Sequence, residues 1–437
     1  MRFGAREAAA LVGGALNGPD VAIDGVSFDS RSIEPGQLFV PIVADRDGHE
    51  FIADALRRGA SAYLTARPPA GGTAIEVGDT LRALSRLATA MRQRFDGTVV
   101  GITGSVGKTS TKDLARAAVG AGRRTWANER SFNNEQGLPT TVLNAPADTE
   151  VMVLEMGMRG HGEITALCDI AAPSIGVVTR VAEAHSDRVG GIEGVARAKA
   201  ELVQALPASG TAVLNADDER VMAMRRLTPA AAVTFGLHPS ADVRVSDLVV
   251  DAEARPSFRV QSPWGTAEVR LGLSGAHMAL NAAAALAVAG VIGVDLADAA
   301  AALATVAPGA MRMNVRRTVD GATVLDDSYN ANPTSMRAAL DALVALPADR
   351  RVAVVGVMAE IADAEREHRD VAAYAAQRGI ELLPVGTDLY GIGAAGDADS
   401  ALTALAERFG SFAAGDAVLV KGSRVAGLDR VAAALCG

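Results

Sequence analysis

Ten residues, Gly101-Ile-Thr-Gly-Ser-Val-Gly-Lys-Thr-Ser110, constrain this chain more than any other stretch of its length. They complete a strand-like apolar run, Thr98–Ile102, and lead into a helical stretch at Thr109–Val119. Glycines let the backbone turn tightly enough for successive N–H groups to converge on an anion, and a helix N-terminus adds a favourable dipole. In that setting Lys108 supplies positive charge to the β- and γ-phosphates of a nucleotide, and Thr109 a hydroxyl for Mg²⁺. Ile102 stands where the full G-x-x-x-x-G-K-[ST] pattern has its first glycine. A glycine-rich turn without a ligand is the alternative, and the strand–loop–helix context argues against it. A phosphate loop serves GTPases, kinases, ATPases and ligases alike, so other residues must choose among them.

Apolar runs alternate with Ala- and Leu-rich helical stretches along most of the chain. Strand-like runs stand at Thr98–Ile102, Val151–Leu154, Ile175–Thr179, Thr211–Leu214, Val352–Val355, Leu382–Val385 and Ala417–Val420. This alternation predicts βαβ units, parallel sheets and an α/β fold. Irregular joints near Arg92–Gly97 and Val306–Asn314 divide the 437 residues into segments 1–95, 96–313 and 314–437. Two cysteines, Cys168 and Cys436, are too few for a disulfide framework or a cysteine-based zinc site. Cys168 reads as a core residue rather than a nucleophile. A net charge of −9 argues against general nucleic-acid binding, which needs dense basic surface. The longest apolar run, Ala282–Gly293, is too short to span a bilayer and reads as a buried helix. With no secretory signal in the first residues, the expectation is a cytoplasmic protein.

A second feature is a lysine on an apolar stripe. In the helical stretch Gly191–Leu206, Val195, Leu202, Val203 and Leu206 share one face, and Lys199 falls on that face. It either snorkels, with its stem buried and its ammonium wet, or is partly desolvated with a lowered pKa, open to modification. Glu155 and His185 each follow a strand-like run, where open α/β sheets place their ligands. Taken singly, either is more often structural than a ligand. A Mg²⁺ there would take oxygen donors, with an imidazole filling one position.

On these residues the chain resembles the Mur ligase family, and the likeness runs through all three segments. DSRSIEPGQLFVPIVADRDGHEFIADALRRGA (Asp29–Ala60) resembles the family's UDP-sugar-binding region, and ITGSVGKTSTK its ATP loop. SFNNEQGLP (Ser131–Pro139), EMGMRGHGEI (Glu155–Ile164), AEAHSDRVGGIEGVARAKAEL and SGAHMALNAAAAL follow in family order. LDDSYNANPTSM (Leu325–Met336) opens the last segment, and LVKGSR (Leu419–Arg424) lies near its end. The YNANP string is the most discriminating piece. It resembles the member that adds a D-alanyl dipeptide, and the D-N-P-R motif of the diaminopimelate-adding member is missing.

The resemblance implies three α/β domains: a small N-terminal UDP-sugar-binding domain, a central P-loop ATPase domain with a mostly parallel sheet, and a Rossmann-like C-terminal domain for the amine substrate. It implies an ATP-dependent carboxylate–amine ligase joining D-Ala-D-Ala to UDP-N-acetylmuramoyl-tripeptide through an acyl phosphate, acting as a monomer. Gly104, Ser105, Gly107, Lys108, Thr109 and Ser110 would hold the ATP phosphates, with Thr109 ligating a first Mg²⁺. Glu155 and His185 match ligands of a second Mg²⁺, and Lys199 matches a lysine that is carbamylated in the family. Asn281 matches an adenine contact, and Arg312 and Asp327 match contacts to ribose and phosphate. Ser30, Arg31, Asn133, Asn134, Tyr329, Asn330 and Asn332 lie in substrate motifs.

Three motifs depart from the family pattern. Arg180 stands in TRVAEAH where an asparagine is usual. His277-Met-Ala-Leu-Asn281 lacks the first asparagine of H-N-x-x-N. Gly356-Val-Met-Ala-Glu-Ile-Ala362 lacks an aspartate and a glycine of G-D-M-x-E-L-G. Two alternatives therefore stay open: a Mur-type ligase with another amine substrate, and a non-catalytic nucleotide-binding relative.

Overall fold

A computed structural model describes residues 1–129, 131–183 and 186–437. His185 therefore lies outside the described residues. Among those described, the strands form three main sheets and one two-stranded ribbon.

The first sheet runs in the order Ala15–Asn17, Ala74–Glu76, Ala62–Thr65, Leu38–Phe39, Val26–Ser27. The helix Thr80–Arg92 is started by Asp79, whose side chain accepts from the Arg82 N–H, and it buries Ala83, Leu84, Leu87, Ala88 and Met91. That stripe belongs to a core shared with Leu138, Val142 and Leu143 of the neighbouring sheet's helices. Polar bonds reinforce the joint. The Met1 ammonium donates to the carbonyls of Leu143 (2.8 Å) and Ala145 (3.0 Å). Asn144 accepts from the Val26 N–H at 2.7 Å and donates to its carbonyl at 2.9 Å.

The central sheet has nine strands, in the order Gly265–Arg270, Pro256–Ser262, Val243–Val250, Ala231–Gly236, Thr211–Asn215, Ile175–Val178, Thr98–Thr103, Val151–Glu155, Thr125–Ala127. Its pairs are parallel from Thr125–Ala127 across to Val243–Val250, and the last two are antiparallel. In this register Glu155 pairs with Ile102, and Val178 with Thr103. The three strands therefore end at one edge, where an open parallel sheet binds its ligands. Glu155 is the last residue of its strand and the helix after the phosphate loop begins at Lys108, each one residue from the position read in the sequence. The helix Met278–Ile292 is apolar on every side, and packs on Lys108–Gly120, alanines allowing close approach. No helix among the described residues is long and apolar enough to cross a membrane.

The last sheet runs Asn314–Arg317, Thr323–Asp326, Asp416–Lys421, Arg350–Val355, Glu381–Pro384, parallel except for the first pair. Cys168 is buried in the core, and burial pushes its thiol up to about 12, so it is no nucleophile.

Candidate active site

The phosphate loop is shaped by the segment that follows Ile175–Val178. The Ser105 N–H donates to the Arg180 carbonyl (2.7 Å), and its hydroxyl donates to the Ala182 carbonyl (2.8 Å) while accepting from the Ala182 N–H (2.9 Å). Ser105 thus uses its donors on the protein and serves the shape of the loop. The Thr179 hydroxyl donates to the Val106 carbonyl at 2.6 Å. Two glycines are required by space. A Cβ on Gly104 would lie 1.8 Å from the Thr179 hydroxyl, and one on Gly107 (φ +82°) 2.6 Å from Asn281 Oδ1.

Lys108 folds back over the loop, its ammonium donating to the Gly104 carbonyl at 2.7 Å. Burial pushes its pKa below the usual lysine value, while the Glu155 carboxylate works against that shift. The Thr109 hydroxyl donates to Glu155 Oε2 at 2.7 Å, and Asn133 Nδ2 donates to Glu155 Oε1 at 2.7 Å. The Glu155 N–H donates to Asn128 Oδ1 (2.6 Å), and the Lys112 ammonium to the Asn128 carbonyl (2.8 Å). The carboxylate is 1% exposed and held at both oxygens. No group of three or more His, Cys, Asp and Glu gathers around a possible metal among the described residues. Thr109 and Glu155 nevertheless put two hard oxygen donors side by side, the chemistry Mg²⁺ prefers.

Lys199 reaches the same cleft from the helix Gly191–Gln204. It is 3% exposed and makes no hydrogen bond or ion pair with the described residues. Burial drives its pKa well below the ordinary lysine value, and the positive charge of Lys108 adds to the shift. The stem is buried and the residue meets open space only in the cleft, far less of it than a surface lysine has.

The facing wall comes from the third sheet. The Arg312 guanidinium lies over the Tyr329 ring at 4.0 Å. Asp327 accepts from the Met313 N–H (3.1 Å) and from the Lys421 ammonium (2.5 Å), which also donates to the Asn330 carbonyl (2.8 Å). Asn332 caps the helix Pro333–Ala345 in a reciprocal bond with Ser335, with Pro333 at the first position. Asn134 accepts from the Gln136 and Gly137 N–H groups. Asn281 sits against Gly107, its amide on Met278 Sδ at 3.4 Å.

These groups line one cleft of about 870 Å³ between the central and last sheets. Ser105, Gly107, Lys108, Thr109, Ser110, Asn133, Asn134, Glu155 and Lys199 stand on one side of it. Asn281, Arg312, Asp327, Tyr329, Asn330 and Asn332 complete it. Gly104 contributes its carbonyl to Lys108 from behind. Ser30 and Arg31 lie away from it: Ser30 is buried, and Arg31 is exposed and paired to Asp29 at 2.7 and 2.9 Å. Lys421, Ser131, Asn128, Thr179 and His277 are site residues that sequence reasoning passed over. Three of them stood in quoted motifs, Ser131 in SFNNEQGLP, His277 in HMALN and Lys421 in LVKGSR, where it also ends the apolar run Ala417–Val420.

Comparison with known proteins adds the following. Residues 102–289 match a family model described as the Mur ligase middle domain, and residues 311–424 one described as the Mur ligase, glutamate ligase domain. The chain is 41% identical to a UDP-N-acetylmuramoyl-tripeptide--D-alanyl-D-alanine ligase of Mycobacterium tuberculosis, over 94% of this chain and 91% of the relative. Among solved structures, a MurF from Acinetobacter baumannii superimposes with a TM-score of 0.89 at 26% identity, covering 100% of this chain and 99% of that one. A MurF ligase from Thermotoga maritima in complex with ADP gives 0.78 at 28% identity, covering 93% and 96%.

Proposed function

The chain belongs to the Mur ligase family, and from that premise we propose that it joins D-Ala-D-Ala to UDP-N-acetylmuramoyl-tripeptide with cleavage of ATP to ADP and phosphate. The observation that carries this reading is the convergence of Lys108, Thr109, Glu155 and Lys199 with Arg312, Asp327 and Tyr329 in one cleft. In the reaction the tripeptide's terminal carboxylate attacks the γ-phosphorus, giving an acyl phosphate and ADP. The dipeptide amine then attacks the acyl carbon, and the tetrahedral intermediate loses phosphate and a proton to leave the amide.

The chain's own residues divide this work. The N–H groups at the start of the helix Lys108–Gly120 and the Lys108 ammonium draw charge from the phosphates. That ammonium rests on the Gly104 carbonyl and has only to swing off it. Asn133 and Thr109 fix the direction of the Glu155 carboxylate. Arg312, stacked on Tyr329, brings positive charge from the facing wall, and Lys421 fixes Asp327 there. The walls keep water from the acyl phosphate, whose hydrolysis would discard the activated group.

Thr109 would hold a first Mg²⁺, and Glu155 and His185 a second that a carbamylated Lys199 supports. Bound there, the ions would neutralise phosphate charge and align the reacting oxygens. Carbamylation joins a neutral Lys199 amine to CO₂ with loss of a proton, and the depressed pKa favours the neutral form. Ser30 and Arg31, from the resembling N-terminal motif, would meet the UDP-sugar, and Asn134, Asn330 and Asn332 would shape the loops around the peptide. The same reading sets domain limits at 1–95, 96–313 and 314–437, and describes a cytoplasmic monomer.

A second reading, another amine, is favoured by one observation. The altered loop 356–362 carries Glu360 at φ +61° and directs it to Arg188, on the central-sheet side, at 3.8 Å. An amine panel decides between them. D-Ala-D-Ala should exceed D-alanine, L-Ala-L-Ala and other small amines in kcat/KM by at least about 100-fold, as a site built around polar substrate groups discriminates. A different preferred amine would establish the second reading.

A further inference from the structure

One hydroxyl joins the two walls of the cleft. The Tyr329 hydroxyl donates to Ser131 Oγ at 2.8 Å, and Arg312 Nη2 donates to the same oxygen at 3.3 Å. Both donors come from the third-sheet side and are stacked on each other, the guanidinium 4.0 Å from the ring. Ser131 belongs to the central side, and its carbonyl accepts from the Asn133 N–H at 2.8 Å. Asn133 in turn accepts at its carbonyl from the Gly157 N–H (2.8 Å) and donates from Nδ2 to Glu155 Oε1 (2.7 Å). The other Glu155 oxygen accepts from Thr109. Space is tight along this path, since a Cβ on Gly157 would lie 2.9 Å from the Asn133 side chain. Hydrogen bonds therefore run without a break from the signature loop of the last domain to the helix of the phosphate loop.

We propose that Ser131 is a positioning residue that couples the seating of the C-terminal domain to the orientation of the Glu155 carboxylate. Ser131 itself touches no reacting atom. When the walls part, its hydroxyl loses both donors and the turn carrying Asn133 is no longer pinned. Glu155 then has one anchor fewer at the moment when its direction matters. The coupling delays phosphoryl transfer until the wall that brings the amine is in place, so the acyl phosphate meets its nucleophile before water. The kinetic part of this inference rests on the proposed ligation; the structural part does not.

Two measurements test it. Hydrogen exchange needs no substrate. Tyr329→Phe, a change in the last domain, should speed exchange of the Gly157 amide in the central domain at least about threefold, Ser131→Ala should do the same, and Ser131→Thr should stay at the wild-type rate. Unchanged Gly157 exchange in Tyr329→Phe would overturn the coupling whatever reaction the protein performs. In the ligation assay Ser131→Ala should lower kcat about tenfold with KM for ATP within about twofold, and Ser131→Thr should restore it. Adding Tyr329→Phe to Ser131→Ala should cost no more than either alone, because both break the same link. Multiplying losses, or a loss confined to KM, would overturn the positioning role. A wild type that exchanges as described but ligates nothing would sink the proposed function and leave the coupling standing.

Discussion

Lys199→Ala is expected to lower ligation at least about a thousandfold, equivalent to roughly 4 kcal/mol of transition-state stabilisation, and to leave the protein folded. The reason is the contrast between the residue's chemistry and its surroundings. A lysine at 3% exposure, with no hydrogen-bond or ion-pair partner among the described residues, is a poor structural element. Burial, with the nearby positive charge of Lys108, holds its folded pKa well below the ordinary lysine value. Linkage then gives the sign: between the folded and unfolded pKa values the unfolded chain binds more protons, so this residue weakens the fold as pH falls through that window. Lys199→Met, which fills the space without the amine, should therefore melt at or above the wild-type temperature near pH 7 while remaining inactive.

The proposed carbamate would give the position a reason to keep a costly amine. If the modified side chain supplies a carboxylate end, a short carboxylic acid or added bicarbonate should restore part of the activity of Lys199→Ala, and none of that of Lys108→Ala. Mass spectrometry of the wild type under CO₂ should show a gain lost in Lys199→Ala. Full activity in Lys199→Ala would remove both the carbamate and the metal-supporting role.

Lys108→Ala should lose at least about 10³-fold in turnover, since it removes the ammonium proposed to draw charge from the transferring phosphate. The loss belongs in kcat more than in KM for ATP, because loop and helix N–H groups still bind the phosphates. Lys108→Arg should rescue little. The native ammonium occupies a single point, 2.7 Å from the Gly104 carbonyl inside a loop closed by Thr179 and Asn281, and a planar guanidinium does not fit it. Wild-type turnover in Lys108→Ala would show that the glycine loop is only a turn.

Local features of the site were legible before the structure. The phosphate loop declares itself by its glycines and its strand–helix context. Lys199 declares itself by falling in register with Val195, Leu202, Val203 and Leu206, all of which are buried. What could not be read was sheet order. Thr109 and Glu155 are 46 residues apart and meet because the strand leading into the phosphate loop and the strand ending at Glu155 are parallel neighbours. Asp327 and Lys421, 94 residues apart, meet for the same reason. The antiparallel strands Val243–Val250, Pro256–Ser262 and Gly265–Arg270 went unread because they are half exposed, so polar residues break up the apolar runs that marked the others. The first sheet was hidden differently: strands as short as Val26–Ser27 and Leu38–Phe39 carry no measurable period. Asn332 shows a signal that was present and unused. Asn-Pro-x-Ser spells a helix start, and the residue grouped with the substrate loop is that helix's cap.

The account stands or falls on one assay of the wild-type protein: ADP formation with ATP, UDP-N-acetylmuramoyl-tripeptide and D-Ala-D-Ala supplied or omitted in turn, the tripeptide carrying ¹⁸O in its terminal carboxylate. The account predicts ADP only with all three present, one ADP per amide formed, and ¹⁸O in the released phosphate. Turnover independent of the dipeptide, AMP in place of ADP, or phosphate without the label would contradict it.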